Sequence, residues 1–214
     1  MLSDVDAVLF DFDGTLIDSS EPICLSFNEA LTRHGLKPLA DDSIKAVIGR
    51  PLRDLFAEQG EQVPIDDLVE EYKRAFAELA PGRAFLIPGV RELISALSRQ
   101  KKLWVVTSRT STGTAQILED LGLFDCFSIL VGIEDVEQPK PSPDPVLFAL
   151  RKLAVLAQNS VFIGDTTYDM EAGRSAGTKT IGVTSGSHNR EQLLAAGADF
   201  VVSDLITLQN MLRD

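Results

Sequence analysis

The sequence predicts an α/β protein in which helices cover a parallel sheet and an all-helical domain is inserted after the first strand. Two observations predict this fold class. From residue 102 onward, short apolar segments alternate with amphipathic helical patterns, as is typical of a Rossmann-like sheet. The interval after the first apolar segment is long and contains helix-start and helix-stop residues without a strand pattern.

Six short apolar segments are interpreted as strands of the core. The helical pattern between them is clearest in "DPVLFALRKLAV", where one face carries Val146, Leu147, Leu150 and Leu153. Strands that alternate with helices favour a parallel sheet covered on both faces, with ligands bound beyond the carboxyl ends of the strands. The predicted strands are residues 5–10, 102–106, 126–131, 160–164, 179–183 and 199–202.

The helical interval predicts a separate small domain. Capping residues, prolines and glycines delimit four helices in it. We assign residues 16–85 to this domain and residues 1–15 and 86–214 to the core, with connections near 15–19 and 81–88 that form a hinge. The alternative is one continuous domain with a very long first crossover. The four helices run from Ser19 to Gly35, from Asp41 to Gly49, from Pro51 to about Gly60 and from Ile65 to Leu79.

The acidic composition of the chain argues against nucleic acid and membranes as partners. The chain has 214 residues and a formal net charge of −12, which repels nucleic acid and anionic membranes. No apolar run approaches the roughly 20 residues that span a bilayer, and the N-terminal segment lacks the pattern of a signal peptide. Cys24 and Cys126 are too few for a disulfide scaffold. We therefore expect a cytoplasmic protein, a monomer or a weak homodimer, that acts on a small molecule.

Polar residues follow the first four predicted strands. Asp11 and Asp13 end the first in "AVLFDFDGTLID". The carboxyl ends of parallel strands meet at one edge of a sheet, so we expect these side chains to gather there. Taken singly, each also has an ordinary structural explanation as a turn, a helix cap or a solvated side chain. The remaining members are Thr107 and Ser108 after the second strand, Lys140 beyond the third, and Asp165 and Asp169 after the fourth.

Four carboxylates in one place are unfavourable unless a cation joins them or some are protonated. Oxygen ligands without a nearby His or Cys select Mg²⁺, which also accepts the oxygens of a substrate phosphate. Lys140 and Thr107 suit phosphate oxygens as a point charge and a hydroxyl donor. This group of residues therefore predicts a site where a phosphoryl group meets Mg²⁺.

The same residues carry a resemblance. "DFDGT", a strand-terminal Thr, a Lys before Pro and "GDTTYD" resemble the four ordered motifs of the haloacid dehalogenase-like (HAD) hydrolase superfamily. The resemblance covers essentially the whole chain, including the helical insertion, which that family calls a cap. "IEDVEQPKPSPDPVLFAL" looks like the phosphoglycolate phosphatase and pyrophosphatase branch.

The resemblance implies a role for each residue. Asp11 is the nucleophile that becomes an aspartyl-phosphate, and Asp13 protonates the leaving oxygen and later activates water. Mg²⁺ is held by the Asp11 carboxylate, the Asp13 main-chain carbonyl and the Asp165 carboxylate. Asp169 is either a further ligand or a residue that supports the ligands. The transferring phosphate is bound by Thr107, the Ser108 amide and Lys140.

Comparison within the superfamily favours phosphate-ester hydrolysis. Dehalogenases lack the second aspartate, and β-phosphoglucomutases carry a His where this chain has Ile23. Arg50 and Arg53 cannot form the Schiff base of phosphonoacetaldehyde hydrolases, although Lys45 lies close; they are candidates for reading the rest of an anionic substrate. We expect a phosphatase acting on a phosphoglycolate-like metabolite. The alternatives are an inorganic pyrophosphatase, a phospho-aspartate signalling protein and a non-catalytic binding protein.

Overall fold

The computed structural model describes residues 5–59 and 62–212. Two of its strands form a small antiparallel ribbon, and the other six form the main sheet. The strands of the described residues are β1 (Ala7–Phe10), β2 (Ile17–Asp18), β3 (Phe85–Leu86), β4 (Lys102–Val106), β5 (Ile129–Val131), β6 (Ser160–Gly164), β7 (Lys179–Val183) and β8 (Phe200–Val202).

The main sheet is parallel throughout, in the order β5-β4-β1-β6-β7-β8. The predicted fold class is confirmed. Strand β1 lies between β4 and β6, with Phe10 in register with Val105 and with Ile163. The residues that follow these three strands are therefore neighbours at one edge of the sheet, where ligands bind in such folds.

Ten helices accompany the strands in the part of the chain that the structure describes. None of them is long and apolar enough to cross a membrane. They are α1 (Ser20–Arg33), α2 (Asp41–Lys45), α3 (Leu52–Ala57), α4 (Ile65–Leu79), α5 (Val90–Leu97), α6 (Ser111–Asp120), α7 (Asp144–Leu153), α8 (Thr167–Ala176), α9 (Arg190–Ala195) and α10 (Leu205–Leu212).

Both faces of the sheet are covered because side chains along each strand alternate between them. One face carries Val8 and Phe10 and packs against apolar residues of α5, α6 and α10. The opposite face carries Leu9, Trp104 and Phe162 and packs against α7 and α8. Strands buried on both sides are largely apolar along their length, and the predicted site residues stand where the strands end.

Helices α1–α4, called the cap from here on, have an apolar core of their own. Leu31, Phe56 and Leu68 are fully buried in it, and the rings of Phe27 and Phe56 stack with centroids 4.4 Å apart. The chain enters and leaves the cap through the β2–β3 ribbon, in which Ile17 pairs with Leu86. The domain limits at residues 16 and 85 stay a prediction, which this separate apolar core supports.

The structure corrects several element limits. The ribbon strand β2 falls in an interval predicted to be only helical, because a two-residue strand is too short to show alternation. The strand predicted for 126–131 begins at Ile129, after a 3₁₀ turn over Phe124–Cys126. The helix predicted for 41–49 ends at Lys45 and continues as turns. The predicted stop of the third helix at Gly60 lies outside the described residues.

Candidate active site

Asp11 follows β1 directly and is buried, with an exposed fraction of 3 %. Its backbone N–H donates to the Ile163 carbonyl at 2.8 Å, so the parallel pairing with β6 continues past the strand end. Burial raises the pKa of the Asp11 carboxyl well above its usual range. The attraction of Lys140 opposes this shift, and the nearby carboxylates of Asp165 and Asp169 reinforce it.

Lys140 places a buried positive charge between Asp11 and Asp169. Its Nζ donates to Asp11 Oδ1 and to Asp169 Oδ1, each at 2.6 Å, and 2 % of the residue is exposed. Although burial acts in the opposite direction, the two carboxylates raise the pKa of Lys140 above its ordinary value, so the ammonium stays charged. The interpretation of Lys140 as a solvated lysine is therefore wrong, and the structure places it with Asp11 as predicted.

Asp165 follows β6 and is fully buried. Its Oδ1 accepts from the Thr15 hydroxyl at 2.9 Å and its Oδ2 from the Ser187 N–H at 2.8 Å. Burial raises the pKa of Asp165 to about 7, with Asp169 acting in the same direction and the Ser187 and Thr15 hydrogen bonds opposing it. These two hydrogen bonds fix the carboxylate while its burial makes an added cation favourable.

Two glycines make room for the Asp165 carboxylate. A Cβ at Gly14, whose φ is +84°, would lie 2.5 Å from Asp165 Oδ2, and a Cβ at Gly186 would lie 1.9 Å from the same oxygen. Real Cβ atoms do not approach a neighbour so closely. The main chain of the loop after β7 therefore touches the carboxylate directly, which a residue with a side chain would prevent.

Asp169 caps helix α8 and also positions Lys140. Its Oδ2 accepts from the N–H and the hydroxyl of Thr166, at 3.0 and 2.6 Å, in a capping box. Its Oδ1 accepts from Lys140. Asp169 therefore supports Lys140, and its direct ligation of a metal stays a prediction.

The acidic cluster fits a divalent cation. Asp11, Asp165 and Asp169 each offer one oxygen, and these oxygens lie within 4.8 Å of one another. When all three are ionised, three negative charges and the one positive charge of Lys140 leave a net charge of −2. Hard oxygen donors without sulfur or nitrogen suit Mg²⁺, so the donor set and the charge balance both fit the predicted ion.

Asp13 forms its ion pair with Arg109, whereas Asp11 pairs with Lys140. Its Oδ2 accepts from Arg109 Nε at 2.8 Å and its Oδ1 from Arg109 Nη2 at 2.9 Å, a bidentate pair. The Ser19 hydroxyl also donates to Oδ1 through a short contact. The predicted metal contact of Asp13 is its main-chain carbonyl, so the side chain is free of that task and serves Arg109 instead.

Sequence reasoning missed Arg109. The residue lies two positions after Thr107, its side chain is 14 % exposed, and its guanidinium stands 4.1 Å from the centroid of the Phe76 ring on α4. A cation over an aromatic face is favourable and more so when water is excluded. The only sequence signal was a charged residue directly after a strand-end motif, and its partners on α4 are 33 residues or more away in the chain.

Thr107 and Ser108 lie at the same edge, after β4. The Thr107 hydroxyl accepts from the Arg109 backbone N–H at 3.1 Å. The backbone N–H of Thr107 donates to the Val131 carbonyl at 2.9 Å. The Ser108 hydroxyl donates to the Gly49 carbonyl of the cap at 2.9 Å. Thr107 therefore shapes the turn that presents Arg109, and its predicted contact with phosphate stays a prediction.

Arg50 and Arg53 have partners within the cap. Arg50 pairs with Glu58, and Arg53 pairs with Asp66 on the exposed surface. The structure does not bring either arginine into contact with the carboxylate cluster. Their predicted role in reading the substrate stays a prediction.

The cap covers the site through close contacts with the loop after β7 and with α8. The Ser187 hydroxyl donates to the Lys45 carbonyl at 3.2 Å. A Cβ at Gly49 would lie 2.8 Å from Thr166 Cγ2, so the turn after α2 rests on the start of α8. Beside these contacts a cleft of about 330 Å³ opens between cap and core, lined in part by Gly14, Ser19, Lys45 and Ser187.

His188 lies in the loop after β7 and contacts the start of α8. It is half-buried, and its Nδ1 accepts from the Thr167 N–H at 2.8 Å. Burial lowers the pKa of His188, in keeping with a neutral ring that accepts at this nitrogen. His188 therefore holds the loop after β7 against the N-terminus of α8, next to Asp165.

Comparison with known proteins agrees with this geometry. The sequence model of the family described as haloacid dehalogenase-like hydrolase matches residues 8–183. A solved structure of a hydrolase from Pseudomonas syringae superposes with a TM-score of 0.84 at 30 % identity and covers 97 % of both chains.

Three curated relatives carry phosphatase names. Probable phosphatase IndB of Dickeya dadantii is 37 % identical over 91 % of this chain and 88 % of its own length. Pyrophosphatase PpaX of Bacillus pumilus is 32 % identical over 96 % and 97 %, and a phosphoglycolate phosphatase of Aquifex aeolicus is 34 % identical over 81 % and 82 %. With the site described above, these matches establish that the chain belongs to the haloacid dehalogenase-like hydrolase family and is a phosphatase-type enzyme.

Proposed function

We propose that the protein is a Mg²⁺-dependent phosphatase that hydrolyses a small phosphoglycolate-like metabolite through an aspartyl-phosphate on Asp11. The observation that carries the proposal is the buried contact of Lys140 with Asp11 inside a three-carboxylate cluster. A buried carboxylate beside one fixed cation, at the edge where a sheet binds ligands, is suited to accept a charged phosphoryl group.

Mg²⁺ would be held by the Asp11 and Asp165 carboxylates and by the Asp13 main-chain carbonyl. When bound, the ion neutralises the carboxylates and draws charge from the phosphate oxygens. Asp169 holds Lys140 beside Asp11 through its Oδ1. The glycines at 14 and 186 keep side chains away from Asp165.

The chain's own residues account for both halves of the reaction. A carboxylate oxygen of Asp11 forms a bond to phosphorus while the bond from phosphorus to the leaving oxygen breaks, and Asp13 gives that oxygen a proton. Asp13 then takes a proton from water, whose oxygen attacks phosphorus and releases phosphate from Asp11. Lys140, Thr107 and the Ser108 amide neutralise and bind the transferring group.

A second candidate is hydrolysis of inorganic pyrophosphate, which the likeness to pyrophosphatase PpaX favours. Phosphoglycolate and pyrophosphate both carry a second anionic group near the scissile bond, a carboxylate in the first and a phosphate in the second. A signalling or purely binding role has no need of the second carboxylate, Asp13, which ester hydrolysis uses as its acid and base. We also propose a cytoplasmic monomer or weak homodimer, which the net charge of −12 and the sequence suggest.

Substitution of the nucleophile tests the mechanism. We expect Asp11→Asn to lower turnover of phosphoglycolate or pyrophosphate by about 10³-fold or more, because an amide cannot form the phosphoenzyme. The assay uses a panel of phosphorylated metabolites with Mg²⁺ and with EDTA, and EDTA should abolish activity. Exposed Asp120→Asn is the matched control. Undiminished turnover in Asp11→Asn, or labelled phosphate that never becomes attached to the wild-type protein, contradicts the covalent mechanism.

Asp13→Asn separates the two proton-transfer steps. For an alkyl phosphate we expect a loss of about 10²–10⁴-fold, because the leaving oxygen needs a proton. For p-nitrophenyl phosphate, whose leaving group needs none, phosphorylation of Asp11 should be less impaired and the phosphoenzyme should accumulate. Rapid-quench measurements of bound phosphate give the phosphorylation rate, and equal losses in that rate with both substrates would remove Asp13 from the general-acid role.

The contact between Gly186 and Asp165 gives a prediction about metal binding. Gly186→Ala should weaken Mg²⁺ binding about 10- to 100-fold, because the added methyl group displaces the Asp165 carboxylate. Calorimetric titration with Mg²⁺ measures the effect. Gly35→Ala is a control for backbone strain away from the site, since its φ is +74° and a Cβ there meets nothing within 4 Å. Equal Mg²⁺ affinities in the two variants would speak against Asp165 as a ligand.

The raised pKa of Asp165 predicts a pH dependence of stability. The folded pKa is about 7 and the unfolded value about 3.9, so protons bind the folded state more tightly. The stability that Asp165 contributes is therefore complete below pH about 4 and is lost as pH rises through about 7. Urea unfolding in EDTA from pH 5 to 8 should show this loss in the wild type and a smaller one in Asp165→Asn. Parallel pH curves would contradict it.

A further inference from the structure

The Asp13–Arg109 pair raises a question about the mechanism proposed above. Asp13 Oδ1 accepts from both Ser19 and Arg109, and Oδ2 accepts from Arg109 Nε. Three of the roughly four acceptor positions of the Asp13 carboxylate are therefore taken, and Arg109 holds both of its oxygens in place. Asp13 can turn toward a leaving oxygen once another group takes its place on Arg109.

Arg109 has contacts other than Asp13 that would keep it in place if Asp13 left it. Its guanidinium lies over the Phe76 ring of α4, and its backbone N–H is fixed by the Thr107 hydroxyl. The Tyr72 ring stacks against Phe76 from the same helix, with centroids 5.9 Å apart. These contacts orient the planar fork independently of Asp13, so the fork remains available to a second planar or tetrahedral anion.

We infer that Arg109 reads a second anionic group of the substrate and that this change of partner frees Asp13 to serve the leaving oxygen. The inference rests on the proposed phosphatase function. Because the leaving oxygen must contact Asp13, the atoms attached beyond that oxygen lie next to the direct partner of Asp13, which is Arg109. A carboxylate or phosphate carried there accepts the same two N–H groups, whereas a neutral group leaves Arg109 on Asp13.

The two arginines singled out in the sequence are less suited to this task. Arg53 and its partner Asp66 are largely exposed, with 59 % and 76 % of their side chains accessible, where water screens a charged contact. Arg50 is occupied by Glu58 within the cap. Arg109 is the more buried arginine and the one that touches a proposed catalytic residue.

A pair of matched substrates tests the inference. Phosphoglycolate and 2-hydroxyethyl phosphate differ in whether the leaving group ends in a carboxylate or a neutral hydroxyl. We expect the wild type to favour phosphoglycolate by about tenfold or more in kcat/KM, and Arg109→Met to lose most of that preference. Arg109→Lys, which keeps the charge but not the fork, should give an intermediate ratio. Arg74→Met removes an exposed arginine of α4 and should keep the wild-type ratio.

Equilibrium binding gives a readout that does not require turnover. With Mg²⁺ present, 3-phosphonopropionate should bind the wild type about tenfold or more tightly than propylphosphonate. This difference should shrink in Arg109→Lys. If Arg109→Met does not fold by circular dichroism, the lysine variant and the wild-type comparison decide the question.

The outcomes separate the two claims. If the wild type hydrolyses neither ester nor pyrophosphate with Mg²⁺, the proposed function fails, and the binding comparison still decides whether Arg109 reads an anion. If both esters are hydrolysed with equal kcat/KM, or if the preference survives in Arg109→Met, the inference about Arg109 is overturned and the phosphatase function stands.

Discussion

The contact of Lys140 with Asp11 and Asp169 is the interaction on which the site depends. Asp11 and Lys140 are 129 residues apart in sequence, and their polar atoms meet at 2.6 Å in a region closed to solvent. Buried carboxylates without a cation are costly and tend to take up protons. Lys140 offsets part of that cost, and the net charge of −2 that remains when all three carboxylates are ionised is one that a divalent ion would balance.

The spacing of Asp11 and Asp13 follows from this arrangement. Each carboxylate has its own cation, Lys140 for Asp11 and Arg109 for Asp13, and the two cations come from different segments of the core. One carboxylate is fully enclosed and the other faces the boundary with the cap. Two acids only one residue apart in the chain therefore sit in different surroundings, which is how a pair of identical groups takes up different chemical roles.

Much of this could be predicted from the sequence, because the relevant signals are local. The strands at 102–106, 160–164 and 179–183 are short, mostly apolar segments, and the predicted limits match the structure to the residue. Parallel pairing then fixes where the residues after them must meet. Arg109 could not be predicted, because its role depends on Phe76 in a helix whose docking no local pattern specifies. The contacts of Gly186 and His188 could not be predicted either. Both residues lie in the loop after β7, whose conformation depends on its contacts with Asp165 and α8.

The contacts between cap and core involve the same elements that build the site. Ser108, next to Thr107, donates to Gly49, and Ser187, which donates its N–H to Asp165, bonds Lys45 through its hydroxyl. The Arg109 contact with Phe76 adds a third link, on α4. The position of the cap is therefore tied to the groups that hold Asp165 and Asp13. Displacing Gly49 or the Lys45 carbonyl would therefore move the main chain that contacts Ser108 and Ser187, and with it the groups that hold the carboxylates.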